Sequence, residues 1–241
     1  MKVYGIQLYS VRDAMEKDVK GTLQKIAELG YKYVEFAGFF GHSAEEVKQY
    51  LDETGLVCSG THSPWTDLRP SVIMQTIAYH KTIGNSNYII PGADLSTLDK
   101  IEEFCHVINF AQPILEAEGI KLSYHNHSGE FVVMPWGSTI HGELEKRTHM
   151  EFEIDTYWAF NAGLDPVAVL KRLQDRIRVI HLKDGFKGSK GMPLGGGEAP
   201  LKDVIDYACA NNITMVVESE TLTPSGMDEA AMCMKYLNSL A

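Results

Sequence analysis

The sequence predicts a single α/β domain with the (β/α)8 TIM barrel fold. Short runs rich in β-branched and aromatic residues alternate with helical periods along the 241 residues. Each strand-plus-helix unit takes roughly 25–35 residues, which is typical of parallel strand pairing. Eight such units in a chain of this length fit one closed barrel. No linker rich in proline, glycine or serine divides the chain, so we expect one domain over residues 1–241.

The eight strands are predicted from apolar, β-branched and aromatic runs. They start near Val3, Tyr31, Leu56, Asn87, Lys121, Met150, Ile177 and Thr214. The last four are predicted to span residues 121–127, 150–157, 177–183 and 214–220. Because side chains alternate between the two faces of a strand, the last inward side chain of each strand should reach the mouth of the barrel.

Helical periods follow most of the strands. The predicted helices cover residues 21–29, 43–54, 71–83, 98–117, 139–147, 165–173, 201–210 and 227–240. Each of four glycines should end a helix in the left-handed conformation just before a strand, namely Gly30, Gly55, Gly84 and Gly119. Asp165 followed by Pro166 is typical of a helix start. This punctuation supports the alternation that the barrel requires.

An open, doubly wound sheet is the rival arrangement. No G-x-G-x-x-G or Walker loop follows any predicted strand. The run Gly195-Gly196-Gly197 precedes a helix rather than following a strand directly, so it gives little support for a phosphate-binding loop. The barrel is therefore the preferred fold.

Composition and charge exclude several classes of function. The formal net charge of −10 argues against a nucleic-acid partner and against anionic membrane surfaces. No apolar run approaches the ~20 residues of a membrane span, and we interpret the N-terminus as a strand rather than a signal peptide. The four cysteines are widely spaced and form no C-x-x-C pair, which favours buried free thiols in a reducing cytoplasm.

Four residues at or just beyond the ends of strands five to eight are candidate ligands of one divalent metal ion. They are Glu130, Asp155, His181 and Glu218. In a parallel barrel these strand ends converge on one face, so residues far apart in sequence meet there. Carboxylate oxygens and imidazole nitrogens are common ligands of such ions. The pattern indicates a metal-dependent enzyme that acts on a small, oxygen-rich substrate.

Strand six places three acids on one face. Glu151, Glu153 and Asp155 alternate with Phe152 and Ile154. Three acids that face a barrel core are costly unless they are paired or bound to a metal. We therefore expect at least Asp155 to lie at the mouth. The alternative for Asp155 is an N-cap of a short following turn.

Strands five and seven carry further candidates. His181 and Lys183 share a face, and a buried lysine is rare unless it has a task. A hydrogen-bonded core histidine is the alternative for His181. The H-x-H pair on strand five, His125 and His127, suits two sides of a ligand or a metal.

Other polar and aromatic residues at the strand ends are candidates for substrate binding. For each of them alone, a structural hydrogen bond or loop packing is the alternative. Together they recur at nearly every strand end, and aromatic walls suit the face of a sugar ring. The predicted substrate-binding residues are Gln7, Glu35, His62, His127, Tyr157 and Trp158.

These motifs resemble the xylose isomerase-like TIM barrels, the sugar phosphate isomerase/epimerase superfamily. The matching segments are GIQLYSVR at 5–12, YVEFAG at 33–38, YHNHSGEF at 124–131, DTYW at 155–158, AGLDP at 162–166, HLKD at 181–184 and VE at 217–218. They span nearly the whole chain in order. The set is specific for the superfamily and not for a substrate.

The resemblance implies one divalent metal ion, with Mn²⁺ preferred and Mg²⁺, Co²⁺, Fe²⁺ or Zn²⁺ as alternatives. It would be held by a Glu, an Asp, a His and a second Glu from strands five to eight. Asp155, His181 and Glu218 take the last three roles. In the better-known ketose epimerases the first Glu lies within strand five, where this chain has YHNH. Glu130, just past the strand, takes that role, and His127 is the alternative.

The implied activity is that of an isomerase or epimerase of carbohydrate metabolism. It would act on a small ketose or keto-polyol by α-proton abstraction through a metal-stabilised enediolate. Glu218 and Glu130 are the candidate base and acid. His125, His127 and Lys183 would hold hydroxyl groups or neutralise the oxyanion.

Two alternatives remain open at the level of the sequence. The His-x-His strand resembles the inosose-dehydratase-like branch more than the ketose epimerases. A lyase that dehydrates a keto-inositol or a 3-keto-sugar on the same site is therefore the first alternative. An endonuclease IV-like hydrolase is the second, and the net charge of −10 disfavours it. Similar proteins commonly form dimers or tetramers, so this chain is a candidate homo-oligomer. The sequence does not determine its oligomeric state.

Overall fold

Eight parallel strands close into a barrel in the computed structural model, which describes residues 2–240. Each strand pairs with the next one along the chain, and the eighth pairs with the first. The strands are β1 Gly5–Gln7, β2 Tyr33–Ala37, β3 Val57–His62, β4 Asn87–Ile90, β5 Lys121–His125, β6 Glu151–Asp155, β7 Ile177–Leu182 and β8 Thr214–Val217. The predicted (β/α)8 barrel is confirmed.

Helices surround the barrel. They are α1 Arg12–Met15, α2 Val19–Glu28, α3 Ala44–Thr54, α4 Ile73–Thr82, α5 Leu98–Ala117, α6 Ile140–Arg147, α7 Thr156–Asn161, α8 Pro166–Arg172, α9 Leu201–Ala210 and α10 Gly226–Ser239. Short 3-10 helices lie at Leu8–Val11, Trp65–Leu68, Gly129–Phe131 and Gln174–Arg176. The predicted helices agree within two residues at each end, whereas α1 and α7 are not predicted from the sequence. Among residues 2–240, no helix is both long enough and apolar enough to cross a membrane.

The predicted helix punctuation is confirmed. The four glycines that precede strands have positive φ angles of 99°, 69°, 75° and 78°, in the order Gly30, Gly55, Gly84 and Gly119. Asp165 accepts hydrogen bonds from the backbone N–H groups of Val167 and Ala168 at the start of α8. These local signals fix where each helix ends and the next strand begins.

The last four strands end one to three residues earlier than predicted. At the end of β6 the reason is visible. Asp155 accepts a hydrogen bond from the Trp158 backbone N–H, which starts α7 at once. Asn126 then bridges β5 and β6: its side chain donates to the Asp155 carbonyl and accepts from the Asp155 N–H. Such bonds join segments far apart in sequence.

The apolar core lies between the strands and the helices, whereas the interior of the barrel is polar toward its C-terminal end. On β2, Val34 and Phe36 are fully buried in the apolar core, while Glu35 between them contacts His181 across the barrel. The C-terminal mouth is therefore where the buried ionisable groups gather.

The four cysteines are free, and burial raises the pKa of the Cys58 and Cys233 thiols to about 12.

Candidate active site

Four side chains of types that can bind a metal ion meet at the C-terminal mouth of the barrel. They come from the ends of the last four strands: His125, Asp155, His181 and Glu218. One donor atom of each lies within 4.8 Å of a donor atom of every other. The distances are 3.6 Å from His125 Nε2 to Asp155 Oδ2, 3.8 Å from His181 Nδ1 to Asp155 Oδ2, and 3.2 Å from His181 Nδ1 to Glu218 Oε2. We call these four residues the mouth cluster.

The mouth cluster has unused hydrogen-bonding capacity. Both ring nitrogens of His125 and Oδ2 of Asp155 are buried and have no hydrogen-bond partner. An unpartnered buried polar atom costs roughly 1–3 kcal/mol, so such atoms call for a ligand. Metal–ligand bonds of about 2.0–2.2 Å set neighbouring donor atoms roughly 3–3.5 Å apart, close to the spacing found here. The donor set therefore fits a divalent cation.

Asp155 serves two purposes with its two oxygens. Oδ1 accepts from the Trp158 backbone N–H at 2.9 Å, so the N-cap alternative is confirmed for that oxygen. Oδ2 faces His125 and His181 instead. The helix that begins at Thr156 therefore holds the carboxylate in place for the cluster. The carboxylate is fully buried, and burial raises its pKa, which the charges of Lys183 and His181 counteract in part.

The histidines of the cluster differ in charge. Burial lowers the pKa of His125 well below its usual value, and the charge of His181 acts in the same direction. His125 is therefore a neutral imidazole, the form that binds metals. Burial by itself would also lower the pKa of His181, but the negative charge carried by the Glu153–Glu35 pair, together with that of Glu218, raises it well above its usual value. His181 is charged as long as no other cation is close.

Lys183 adds a buried cation beside the cluster. Its Nζ donates to Glu218 Oε2 at 2.9 Å and to Glu220 Oε1, and it lies 3.5 Å from Asp155 Oδ2. It also lies 4.7 Å from the centre of the Trp158 ring. Burial would lower the pKa of Lys183, but Glu218 and the other acids raise it above its usual value. Lys183 is an ammonium ion that can donate hydrogen bonds and cannot act as a nucleophile.

A second layer of polar residues lies beneath the mouth cluster. Gln7 Nε2 donates to Glu35 Oε1 at 2.6 Å, and the same oxygen is 2.9 Å from His181 Nε2. His62 Nε2 is 2.8 Å from Glu153 Oε2. Burial raises the pKa of Glu153 well above its usual value, and the charge of Glu35 adds to this. Glu153 is thus a neutral carboxylic acid next to the Glu35 carboxylate, and the pair orients His181 from below.

A cavity of about 810 Å³ opens above the cluster. His62, His125 and Glu218 contribute to its floor. The residues that line it are Tyr9, Ala37, Gly38, His62, Ser63, Pro64, Trp65, Thr66, Pro91, Gly92, His125, His127, Trp158, Glu218 and Glu220. This volume is in the range of cavities that bury small organic ligands. None of these lining residues is Lys or Arg.

The structure brings three of the six predicted substrate-binding residues to the cavity wall, namely His62, His127 and Trp158. The other three do not line it. Gln7 and Glu35 take part in the hydrogen bonds of the lower layer. The hydroxyl of Tyr157 lies 2.7 Å from the Ser189 carbonyl oxygen, inside the loop that follows β7. These three side chains support the site from behind.

Glu130 is not brought to the mouth cluster. The strand ends at His125, and Glu130 lies in a 3-10 helix beyond it. Its carboxylate accepts hydrogen bonds from the Tyr124 hydroxyl at 3.2 Å and from the His127 backbone N–H at 3.0 Å. The His127 side chain is half exposed, so it does not join the cluster either. His125 occupies the corner of the cluster that strand five supplies.

Several cavity residues are not predicted from the sequence. Tyr9 follows β1 by two residues, and Pro91-Gly92 follows β4 directly. Strand four ends in apolar residues, so it offers no polar signal at its end. The signal that does exist there is the Pro-Gly pair, which places irregular backbone at the mouth.

Comparisons with known proteins agree with this fold. A family model described as "Xylose isomerase-like TIM barrel" matches residues 23–237. A sugar phosphate isomerase/epimerase from Parabacteroides distasonis ATCC 8503 has a TM-score of 0.86 at 25% identity, covering 99% of this chain and 98% of that chain. The probable 3-DHS dehydratase from Bacillus anthracis has a TM-score of 0.76 at 13% identity, covering 98% and 99%, and shows the fold alone.

One curated relative is similar over part of the chain. The inosose dehydratase of Geobacillus kaustophilus (strain HTA426) is 38% identical over 74 residues. The matched stretch is 31% of this chain and 24% of that protein, so it spans about a quarter of the relative's length.

Proposed function

The chain belongs to the xylose isomerase-like TIM barrel family, and we propose that it is a divalent-metal-dependent isomerase or epimerase of a small ketose or keto-polyol. The observation that carries the proposal is the mouth cluster at the floor of the cavity, with the unpartnered atoms of His125 and Asp155. Members of the family are sugar isomerases, epimerases and dehydratases. The same cluster and cavity suit the first step that these reactions share.

The cavity favours a neutral substrate over a phosphorylated one. Glu218 and Glu220 line it, and no lysine or arginine does. Phosphate groups are usually bound by such cations or by free backbone N–H groups. Tyr9, Trp65 and Trp158 offer the aromatic faces on which the C–H faces of sugar rings pack. A neutral sugar or polyol therefore fits best.

The proposed metal ligands are the four residues of the mouth cluster. A bound divalent cation, Mn²⁺ foremost, would supply Lewis-acid stabilisation of negative charge on a substrate oxygen. The protein's own groups would do the rest. Glu218 is ionised because the charges of Lys183 and His181 outweigh burial and hold its pKa well below the usual value. It lines the cavity and is the candidate base that removes the proton from the α-carbon.

Lys183 and His127 complete the proposed set of catalytic groups. Lys183 does not line the cavity, but its Nζ lies directly behind Glu218 and Trp158, and from there its positive charge would stabilise the negative charge on the oxygen of the enediolate. His127 lines the cavity, and the Glu130 carboxylate, 3.9 Å from His127 Nδ1, raises its pKa. His127 is thus suited to return a proton to the substrate. The role of acid that the sequence suggested for Glu130 becomes, in this proposal, that of the partner which raises the pKa of His127.

Dehydration is the alternative outcome on the same site. After removal of the α-proton, the C–O bond of a β-hydroxyl breaks, and the leaving oxygen takes a proton from His127 to form water. The 38% identity to an inosose dehydratase over 74 residues favours this alternative. In isomerisation or epimerisation, the proton returns to carbon instead.

Exchange of substrate protons tests the shared first step. The protein loaded with Mn²⁺ is incubated in D₂O with unphosphorylated ketoses and keto-inositols, and deuterium at each α-carbon is followed by NMR. We expect exchange with at least one of them, and loss of exchange in Asp155→Asn. Absence of both exchange and turnover with every compound would overturn the proposal. Product analysis separates isomerisation from dehydration.

A further inference from the structure

The loop that follows β7 is long and is built around one buried carboxylate. The 18 residues 183–200 lie between β7 and α9, and loops of this length are usually functional. The buried Asp184 accepts four backbone hydrogen bonds. Oδ1 accepts from Gly185 at 2.8 Å and Ala199 at 3.1 Å, and Oδ2 accepts from Gly195 at 2.9 Å and Gly197 at 3.0 Å. The backbone of the glycine run thus binds the carboxylate of Asp184, an anion that the chain itself supplies.

The glycines of the run are required for this arrangement. A Cβ atom at Gly197 would lie 2.5 Å from Asp184 Oδ1 and 2.3 Å from the Gly185 nitrogen. Gly195 has φ +83°, and a Cβ atom there would lie 2.6 Å from the ring of Tyr236. Side chains at these positions would open the cradle, because neither the backbone nor the ring can yield by that much.

The folded loop also packs against the buried lysine of the candidate active site. The Met192 N–H donates to the Asp184 carbonyl at 2.7 Å, which brings the returning chain alongside. A Cβ atom at the preceding Gly191 would lie only 2.1 Å from Cε of Lys183. The carbonyl of Gly191 accepts from the Glu220 N–H at 2.9 Å. The loop therefore confines the Lys183 stem and fixes the backbone of Glu220, one of the acids that holds its ammonium group.

We propose that Asp184 is a positioning residue. Its carboxylate is the internal anion around which the loop 185–199 folds, and the folded loop confines Lys183 so that Nζ faces Glu218 and Asp155. Removal of the carboxylate leaves four backbone N–H groups directed at one buried space, which is a binding site for a small monoanion. The loop part of this inference stands on geometry alone. Its catalytic consequence rests on the proposed function.

Amide hydrogen exchange of metal-loaded protein tests the loop. We expect exchange in residues 185–199 to rise about tenfold or more in Asp184→Ala and in Asp184→Asn, and to return toward wild type when formate is added to Asp184→Ala. The matched control is Asp165→Ala, which removes another carboxylate bound to two backbone N–H groups, at the start of α8. It should leave the loop unchanged. Wild-type exchange in the loop of both Asp184 variants would overturn the proposal.

Lysine acylation tests the connection to Lys183. Acetic anhydride labelling, read by mass spectrometry, should modify Lys183 faster in Asp184→Ala than in wild type, and formate should restore protection. Gly191→Ala should displace Lys183 while the loop keeps its slow exchange, because the cradle is intact. Unchanged Lys183 labelling in Asp184→Ala, with a loosened loop, would overturn the positioning role even if Gly191→Ala behaves as expected.

Kinetics supply the catalytic readout. For any substrate that wild type processes, Asp184→Ala should lower kcat by about 10²-fold with little change in KM, and formate should restore part of kcat. A rise in KM alone, or no rescue, would contradict positioning of Lys183. If wild type shows no α-proton exchange, the proposed function fails, whereas the hydrogen-exchange and labelling results still decide the role of Asp184.

Discussion

The two ends of β6 carry the same kind of residue, an acid, in two different settings. Glu151 at the N-terminal end is partly exposed, and its carboxylate lies 2.6 Å from Arg178 Nε and 3.9 Å from Lys121 Nζ. Asp155 at the C-terminal end is fully buried, and its Oδ2 has no hydrogen-bond partner. Oε2 of Glu151 also makes no hydrogen bond, but it lies against exposed cations. Oδ2 of Asp155 instead faces buried imidazoles, while its Oδ1 is held by α7.

The same contrast holds for the two ends of the barrel. The N-terminal end has a cavity of about 500 Å³ whose lining includes Asn87, Arg178 and Tyr207 and no acid. Within residues 2–240, the mouth cluster and a second group of candidate metal ligands, His62, His125, Glu153 and His181, both lie at the C-terminal end. Polar residues at one end of a barrel are therefore no sign of chemistry by themselves. The distinguishing feature is a group of buried acids and imidazoles whose donor atoms lie within 4.8 Å of one another.

Replacement of the acids at the two ends of β6 by amides gives the largest expected difference. Asp155→Asn should weaken Mn²⁺ binding by more than the roughly 10²-fold that loss of a supporting partner of a metal ligand costs. It should also abolish α-proton exchange. Glu151→Gln should change neither, and should alter the free energy of unfolding by about 1 kcal/mol or less. Calorimetric titration with Mn²⁺ and thermal unfolding measure both. Equal Mn²⁺ affinities of the two variants would show that the unpartnered oxygen of Asp155 is not a ligand atom.

The two lysines near these acids extend the comparison. Lys183→Met should lower kcat by about 10²-fold or more, because the buried positive charge beside Glu218 is lost, and Mn²⁺ should still bind. Lys121→Met, beside Glu151 at the other end, should leave kcat unchanged, since that lysine is exposed. Steady-state kinetics with any substrate that shows exchange give the answer. A loss of kcat in Lys121→Met comparable to that in Lys183→Met would contradict the assignment of the chemistry to one end.

More of the fold than of the site could be predicted from the sequence. Strand and helix periods, with glycines such as Gly55 before strands, are local signals and suffice for the barrel. Alternation along strands six to eight selects Asp155, His181 and Glu218, which the structure brings together. Alternation tells which side chains face inward, and it does not tell how deep they lie. Glu35 faces inward too, yet it lies in the lower layer.

Strand five shows what local signals cannot supply. His125 and His127 have the same parity, and Glu130 is the nearest acid. The strand ends at His125 because Asn126 bonds to the backbone of Asp155, a residue 29 positions away. The position of the strand end decides whether the side chain of His125 or that of His127 lies beneath the mouth of the barrel. A bond between distant segments sets it, so the sequence pattern leaves the strand-five corner open.

Mn²⁺ binding should weaken as the pH falls, because it requires the neutral form of His181. In the metal-free protein the surrounding carboxylates raise the pKa of His181, so it is protonated near neutral pH. Binding requires the neutral imidazole and therefore releases a proton. The affinity should fall by about tenfold for each unit that the pH decreases below the pKa of His181. Titrations in buffers with different ionisation enthalpies count the proton. Binding without proton release would show that His181 is not a ligand or is already neutral.

The smallest effects are expected for substitutions in the lower layer. Glu153 and Glu35 form the pair to compare there. Glu153 is neutral because burial and the charge of Glu35 raise its pKa. Its replacement by the neutral Gln keeps the shape and the charge state. Glu35 is a carboxylate: burial would raise its pKa, but the charges of His181 and His62 lower it. Glu35→Gln removes the charge that supports His181, while Glu153→Gln preserves it.

We therefore expect Glu153→Gln to change the free energy of unfolding by about 1 kcal/mol or less, and Glu35→Gln to lower it by roughly 1–3 kcal/mol, because a buried charged partner is lost. Glu35→Gln should also reduce the pH dependence of Mn²⁺ binding, since a carboxylate that raises the pKa of His181 is gone. Urea unfolding at neutral pH and the titrations described above test both variants. If Glu153→Gln is the more damaging of the two, the proton of the pair resides on Glu35, and the orientation of His181 from below must be assigned to Glu153 instead.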